Sequence, residues 1–214
     1  MDGLTNKLSL DLTNQMKNYP SIRQSRKPFQ ACIFDKLDGS NLRFSWDSRQ
    51  GWYEYATRTR PLPVDHKLYK IGYEYFQDIY ADSIIAIATK KGWKRLDAFC
   101  EFYGDNSFAG RHDLSEKQRV TLIDLAPNTR GFLNPKEFLN LFSSLPLPKY
   151  LGEVEWNEEY AEAVRNGAIE NITFEGVVAK STIKQRMAKA KTQAWINRVI
   201  QEFGEVEGAK IVKS

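Results

Sequence analysis

The chain has 214 residues, 42% of them hydrophobic and 13% aromatic, enough to bury a core without a disulfide or metal staple. Its net charge is +4 at pH 7, and its longest apolar run, Ile84 to Ala88, is too short to span a bilayer. Two cysteines, Cys32 and Cys100, lie in apolar strand-like stretches with no second ligand at metal spacing; this excludes a disulfide scaffold and assigns each to a buried reduced thiol.

The start, Met1-Asp2-Gly3-Leu4, has no basic segment followed by an apolar one, so neither a signal peptide nor a membrane span is expected, and the cytoplasm is the expected compartment. A first basic cluster comprises Arg23, Arg26 and Lys27. Phe29 to Asp35 then reads as an apolar strand. Lys36-Leu37-Asp38-Gly39-Ser40-Asn41 follows and places an amine, a carboxylate two residues on and a glycine turn between two alternating segments. A lysine is almost wholly protonated at neutral pH and becomes a nucleophile only where its surroundings disfavour the ammonium. The other reading of the segment is a plain Asp-Gly hairpin turn with Lys36 as a solvated flank.

In the next strand, over 41–47, Leu42, Phe44 and Trp46 alternate with Arg43, Ser45 and Asp47; Ser48 to Gly51 is a turn, and a third strand over 52–59 completes an expected meander. Arg58 and Arg60 close that strand, where a guanidinium fork suits a phosphate or ribose. The spacing of Leu68, Ile71, Tyr75, Phe76 and Ile79 predicts helix within 66–91, with a second short helix from Ile84 to Lys91 ended by Gly92. Lys90, Lys91, Lys94 and Arg95 there read as a solvated helix end. A strand over 95–103 carries Glu101 and leads into a loop, Gly104 to Gly110, with Asn106 and Ser107. A carboxylate between Cys100 and Phe102 either faces solvent or is paired inside, and the apolar company favours a site.

Val120 to Leu125 is a further strand, and Asn134-Pro135-Lys136-Glu137 starts a helix with asparagine as cap and proline first. Phe174 to Lys180 is strand-like and holds Glu175, followed by Gly176, which permits close approach of backbone or ligand. A last basic cluster, Lys180, Lys184, Arg186, Lys189 and Lys191, includes two lysines at strand spacing whose amines share one space and repel unless an anion lies between them. A final helix over 192–203, with Trp195, Val199 and Phe203 on one stripe, stops at Gly204, and Glu202 to Ser214 reads as a trailing end. The mixture of antiparallel strands and interspersed helices is α+β.

Taken together, the motifs resemble those of the covalent nucleotidyltransferases, the polynucleotide ligases and messenger-RNA capping enzymes. Lys36-Leu-Asp-Gly-Ser-Asn41 looks like their nucleophile motif, Thr57 to Arg60 like the arginine element, and Glu101-Phe-Tyr-Gly104, Glu175-Gly-Val-Val178 and Lys189-Ala-Lys191 like the three later motifs, in order, over about residues 30–192. The stretch from Glu101 to Gly110 and the asparagine at position 41 are most similar to phage-type RNA ligases. The resemblance implies a nucleotidyltransferase (ligase adenylation) fold, antiparallel sheets flanked by helices around an ATP cleft. It implies that Lys36 attacks the α-phosphate of ATP to form lysyl-AMP, that AMP passes to a 5′-phosphate RNA end, and that a 3′-hydroxyl seals the strand. By the same resemblance Glu101 holds the ribose, Arg58 the ribose or phosphate, and Lys189 and Lys191 bind the phosphates and depress the Lys36 pKa. The resemblance further implies that Asp38, Glu101 and Glu175 hold Mg²⁺ or Mn²⁺ through water, and that Asn41 serves the steps with nucleic acid. Where the family stacks an aromatic ring on adenine, Leu122-Ile123-Asp124 supplies Ile123.

Only 23 residues follow Lys191, so the expectation is a single nucleotidyltransferase domain over 1–214 without an oligonucleotide-binding barrel, its nucleic acid clamped by the chain's own basic face or by a protein partner. The alternatives are a minimal ATP-dependent DNA ligase or polynucleotide 5′-adenylyltransferase, a GTP-using capping enzyme, and a nucleic-acid-binding or nucleotide-sensing module without chemistry.

Overall fold

Eight strands form two antiparallel four-stranded sheets in the computed structural model, which describes residues 18–25, 27–105, 115–128 and 130–213. Asn106 to Gly110 of the expected loop, Arg26 and the first 17 residues lie outside the described residues. In chain order the elements are β1 (Phe29–Lys36), β2 (Ser40–Asp47), β3 (Gly51–Thr57), α1 (Lys70–Phe76), a π-helical turn (Gln77–Ala81) and α2 (Asp82–Lys91). Then come β4 (Arg95–Tyr103), β5 (Arg119–Pro127), α3 (Pro135–Phe142), β6 (Tyr150–Trp156), α4 (Glu158–Arg165), β7 (Gly176–Ser181), β8 (Met187–Lys191) and α5 (Gln193–Lys213). The class is α+β.

The expected meander of the first three strands does not form. β1 lies in a sheet of order β6-β1-β7-β8, whereas β2 lies in the other, of order β3-β2-β4-β5; only β2 and β3 make a hairpin. Asp38 and Gly39 therefore carry the chain from one sheet to the other and are no hairpin turn. Leu42, Phe44 and Trp46 of β2 join Phe76, Tyr80 and Ile84 in the larger core, and the alternate face of the same strand is buried too. There Arg43 pairs with Glu54 at 2.5 Å and Ser45 donates to Asp97 at 2.6 Å, so this inner layer holds paired polar side chains. The second core packs Ile33, Val177 and Ala190 beside Trp156 and Val164.

The helical stretch begins at Lys70, and of the expected stripe only Phe76 is fully buried. Gly72, Phe76, Tyr80, Ile84 and Ala88 are buried, while Leu68, Ile71 and Ile79 are exposed. A run of four-residue steps outpaces the 3.6-residue turn, and the π turn absorbs the surplus, keeping all five on the core side. Gly92 ends α2 in the left-handed conformation, and Asn134 caps α3 by accepting from the Lys136 N–H at 3.0 Å, both as expected. β6 and α4 were not anticipated. α5 breaks at Gly204 (φ 75°, ψ 168°) but resumes as helix to Lys213, with Gly208 buried against Ile200. The segment after Gly204 is thus packed structure rather than a trailing end. Among the described residues no helix is long and apolar enough to cross a membrane.

Candidate active site

Between the two sheets lies a cavity of about 670 Å³. All nine side chains singled out from the sequence line it: Lys36, Asp38, Asn41, Arg58, Glu101, Ile123, Glu175, Lys189 and Lys191. Strand geometry explains the convergence. Period-two alternation sends Lys189 and Lys191 of β8 to the cavity while Ala188 and Ala190 enter the core, and sends Val178 and Lys180 of β7 the same way while Val177 and Ala179 turn inward. Lys36 stands at the end of β1 in register with Gly176 of β7, and Gly176 with Lys191 of β8, so three neighbouring strands place the two lysines beside Glu175. From the other sheet, Asn41 of β2 is in register with Glu101 of β4. Gly39 lies against the Phe102 carbonyl; a Cβ there has no room, which lets the crossing segment sit directly on β4.

The Glu175 carboxylate bridges two amines: Oε2 lies 2.8 Å from Lys36 Nζ and Oε1 lies 3.4 Å from Lys191 Nζ. Lys191 also stands 4.2 Å over the Trp195 ring and reaches the Ile211 carbonyl at 3.5 Å. Asn41 donates to the Cys100 carbonyl at 3.3 Å, and its buried Oδ1 finds no hydrogen-bond partner among the described residues.

These charges correct one expectation. Burial pulls the Lys36 pKa down, but the charge of Glu175, Glu101 and Asp38 outweighs it and holds Lys36 above its usual value. The depressed amines are the other two: burial, with Lys191 and Lys36 nearby, brings Lys189 down to about 8, and burial also lowers Lys191. Burial raises Glu101 to about 7, with Lys36 pulling it down and Glu175 pushing it up.

The cavity wall also carries apolar residues to which the sequence reading gave no role. Tyr19, Ile22, Phe34 and Val178 line it with Ile123. Beside them Lys180 is buried, donating to the Ile123 carbonyl at 2.6 Å and to Asp124 Oδ2 at 2.7 Å, and Tyr19 donates to the same oxygen at 2.8 Å. Lys180 reads as one more base in a surface cluster until its parity with Val178 is counted. In the first cluster Arg23 accepts from the Lys189 N–H through its carbonyl, and in the second Lys91 pairs with Glu137 and Arg95 with Asp47.

No family model matches the sequence, and no curated protein matches it. Solved structures do. Naegleria gruberi RNA ligase with PPi superposes with a TM-score of 0.64 and 16% identity, covering 86% of this chain and 58% of that one. Its E312A mutant with AMP and Mn gives 0.65 and 17%, with the same coverage. An archaeal ATP-dependent RNA ligase gives 0.66 and 18%, covering 92% of this chain and 56% of that one. The chain therefore has the nucleotidyltransferase fold of these RNA ligases and spans rather more than half of their length.

Proposed function

We propose that this chain is the adenylyl-transfer core of an ATP-dependent RNA ligase, with Lys36 as its nucleophile. The observation that carries the reading is the placement of Lys36 at the junction of the two sheets, 2.8 Å from Glu175, with Lys189 and Lys191 in the same cavity. In this reading Lys36 Nζ attacks the α-phosphorus of ATP, the N–P bond forms and the bond to pyrophosphate breaks. AMP then passes to a 5′-phosphate end, and a 3′-hydroxyl displaces it to join the strand. The fold shared with RNA ligases and the order of the five motifs support the assignment.

Each wall of the cavity has a part. In this reading the cavity-lining Ile22, Phe34, Ile123 and Val178 offer an apolar slot to the base, and Glu101 and Arg58, which line the same cavity, take the ribose. Lys189 and Lys191 hold the phosphates; burial depresses both amines, with Lys36 adding repulsion to each, and a bound anion favours their charged forms. Asn41, with a spare acceptor in the cavity wall, suits a hydroxyl of the acceptor strand.

Asp38, Glu101 and Glu175 are oxygen donors of the kind Mg²⁺ or Mn²⁺ takes, and among the described residues no three acidic, histidine or cysteine side chains cluster tightly enough to hold a metal by themselves. Bridging water and substrate phosphate fit that donor set, and a bound ion supplies positive charge at the α-phosphate. Lys36 is an ion-paired ammonium in the free protein, so loosening the hold of the carboxylates is part of its activation.

Incubation with α-labelled ATP and Mg²⁺ tests the reading: the parent takes up one AMP on Lys36, mapped by peptide mass, and Lys36→Ala takes up none. A parent that takes up no label overturns it. With nicked RNA, RNA–DNA and DNA duplexes and with single strands, joining of RNA ends is expected, and sealing confined to all-DNA nicks overturns the choice of strand.

A further inference from the structure

Asp35, the residue before Lys36, is 3% exposed, yet its carboxylate does not face the lysine it adjoins. Oδ1 accepts from the Thr173 N–H at 2.9 Å and Oδ2 from the Thr173 hydroxyl at 2.5 Å, across 138 residues of sequence. Thr173 lies two residues before Glu175, in the loop that precedes β7 and that the sheet's own hydrogen bonds do not hold. The other end of that loop is tied to the residue after Lys191: the Thr192 N–H donates to the Glu175 carbonyl at 2.9 Å, and its hydroxyl donates to the Phe174 carbonyl at 2.7 Å. The Glu175 carboxylate bridges Lys36 and Lys191, and each lysine's neighbour in sequence grips the backbone that carries Glu175.

We propose that Asp35 is a positioning residue whose two bonds to Thr173 set where the Glu175 carboxylate stands relative to Lys36; the inference rests on the adenylyl-transfer reading above. Lys36 and Glu175 come from elements far apart in sequence, and the β1–β7 ladder, which pairs Lys36 with Gly176, stops one residue short of Glu175. Asp35 closes that gap. A shift of about 1 Å in such an arrangement costs on the order of 10²-fold in rate, so the clamp acts on the chemical step and leaves nucleotide binding to the lysines and the apolar slot.

The test compares Asp35→Ala, Asp35→Asn, Thr173→Val and the Ala/Val double variant, each checked for cooperative unfolding, by the rate of lysyl-AMP formation over a range of ATP concentrations. Asp35→Asn can still accept from the Thr173 N–H and donate to its hydroxyl, so it stays within a few-fold of the parent. Asp35→Ala slows the saturated rate by about 10- to 10²-fold with the half-saturating ATP concentration nearly unchanged. Thr173→Val, which keeps the N–H bond, falls between, and adding it to Asp35→Ala costs little more. An unaffected Asp35→Ala, an Asp35→Asn as slow as the alanine, or effects of Asp35 and Thr173 that simply multiply overturns the proposal. A second arm needs no ATP: acylation of Lys36 by an amine-reactive ester at fixed pH, followed by peptide mapping, is expected to be several-fold faster in Asp35→Ala because Glu175 no longer holds the amine. Unchanged labelling overturns the clamp. Faster labelling in a protein that never forms lysyl-AMP instead sinks the adenylyl-transfer reading and leaves the clamp standing.

Discussion

Glu101 is the carboxylate whose protonation the fold alters most visibly. Burial, with Glu175 and Asp38 nearby, raises it to about 7 from the ordinary range near 4.5. The unfolded chain releases this proton near the ordinary value and the folded chain holds it until about 7, so between those values the folded state binds more protons. Stability is therefore expected to fall as pH rises through that window, on the order of 1 to 3 kcal/mol from this group. Denaturant unfolding at pH 5 and pH 8 measures it: the parent loses stability between the two, and Glu101→Gln, which stays neutral, flattens the difference. An equal pH dependence in parent and variant removes Glu101 from the account. That the nine side chains share one cavity was legible in the sequence from their residue types and from the motifs they resemble. What no spacing gives is distance: Lys189 and Lys191 in the sequence imply a depressed Lys36, whereas Glu175 at 2.8 Å raises it.

At the scale of elements, strand existence was readable and strand partnership was not. The alternation of Leu42, Phe44 and Trp46 specifies a strand with two faces, but the two edges of any strand offer the same backbone donors and acceptors. β1 finds its partners in β6 and β7, more than a hundred residues away, and leaves its neighbour β2 to another sheet. β6 escaped because it is an edge strand whose Leu151 and Val154 are only half-buried between exposed glutamates. The junction that this topology creates depends on Gly176, whose φ of 147° and close approach to the Ala190 carbonyl leave no room for a Cβ. Gly176→Ala is expected to destabilise the protein by about 1 to 3 kcal/mol, read from the denaturation midpoint, because both the backbone angle and the β7–β8 spacing must give. It is also expected to slow lysyl-AMP formation more than the loss of folded protein explains, since the adjacent Glu175 moves with it.

For the whole molecule, the cleft between the sheets is bordered on its Lys191 side by the chain's own last helical segment. After the break at Gly204, the chain packs back through Gly208 onto Ile200, and Ile211 lines the cavity while its carbonyl takes a long hydrogen bond of 3.5 Å from Lys191. Two carbonyl-bearing groups thus compete for the amine assigned to phosphate: the Glu175 carboxylate and the end of α5. Removing residues 205–214 uncovers part of the Val199 and Ile200 surface and is expected to cost on the order of 2 kcal/mol of stability. The same truncation releases Lys191 from its Ile211 acceptor and widens the cavity mouth, so pyrophosphate is expected to bind several-fold more tightly, measured by its half-saturation in ATP–pyrophosphate exchange. The two effects have opposite signs, which separates them from general damage: a truncated protein both less stable and weaker in pyrophosphate binding means that the segment builds the phosphate site rather than covering it.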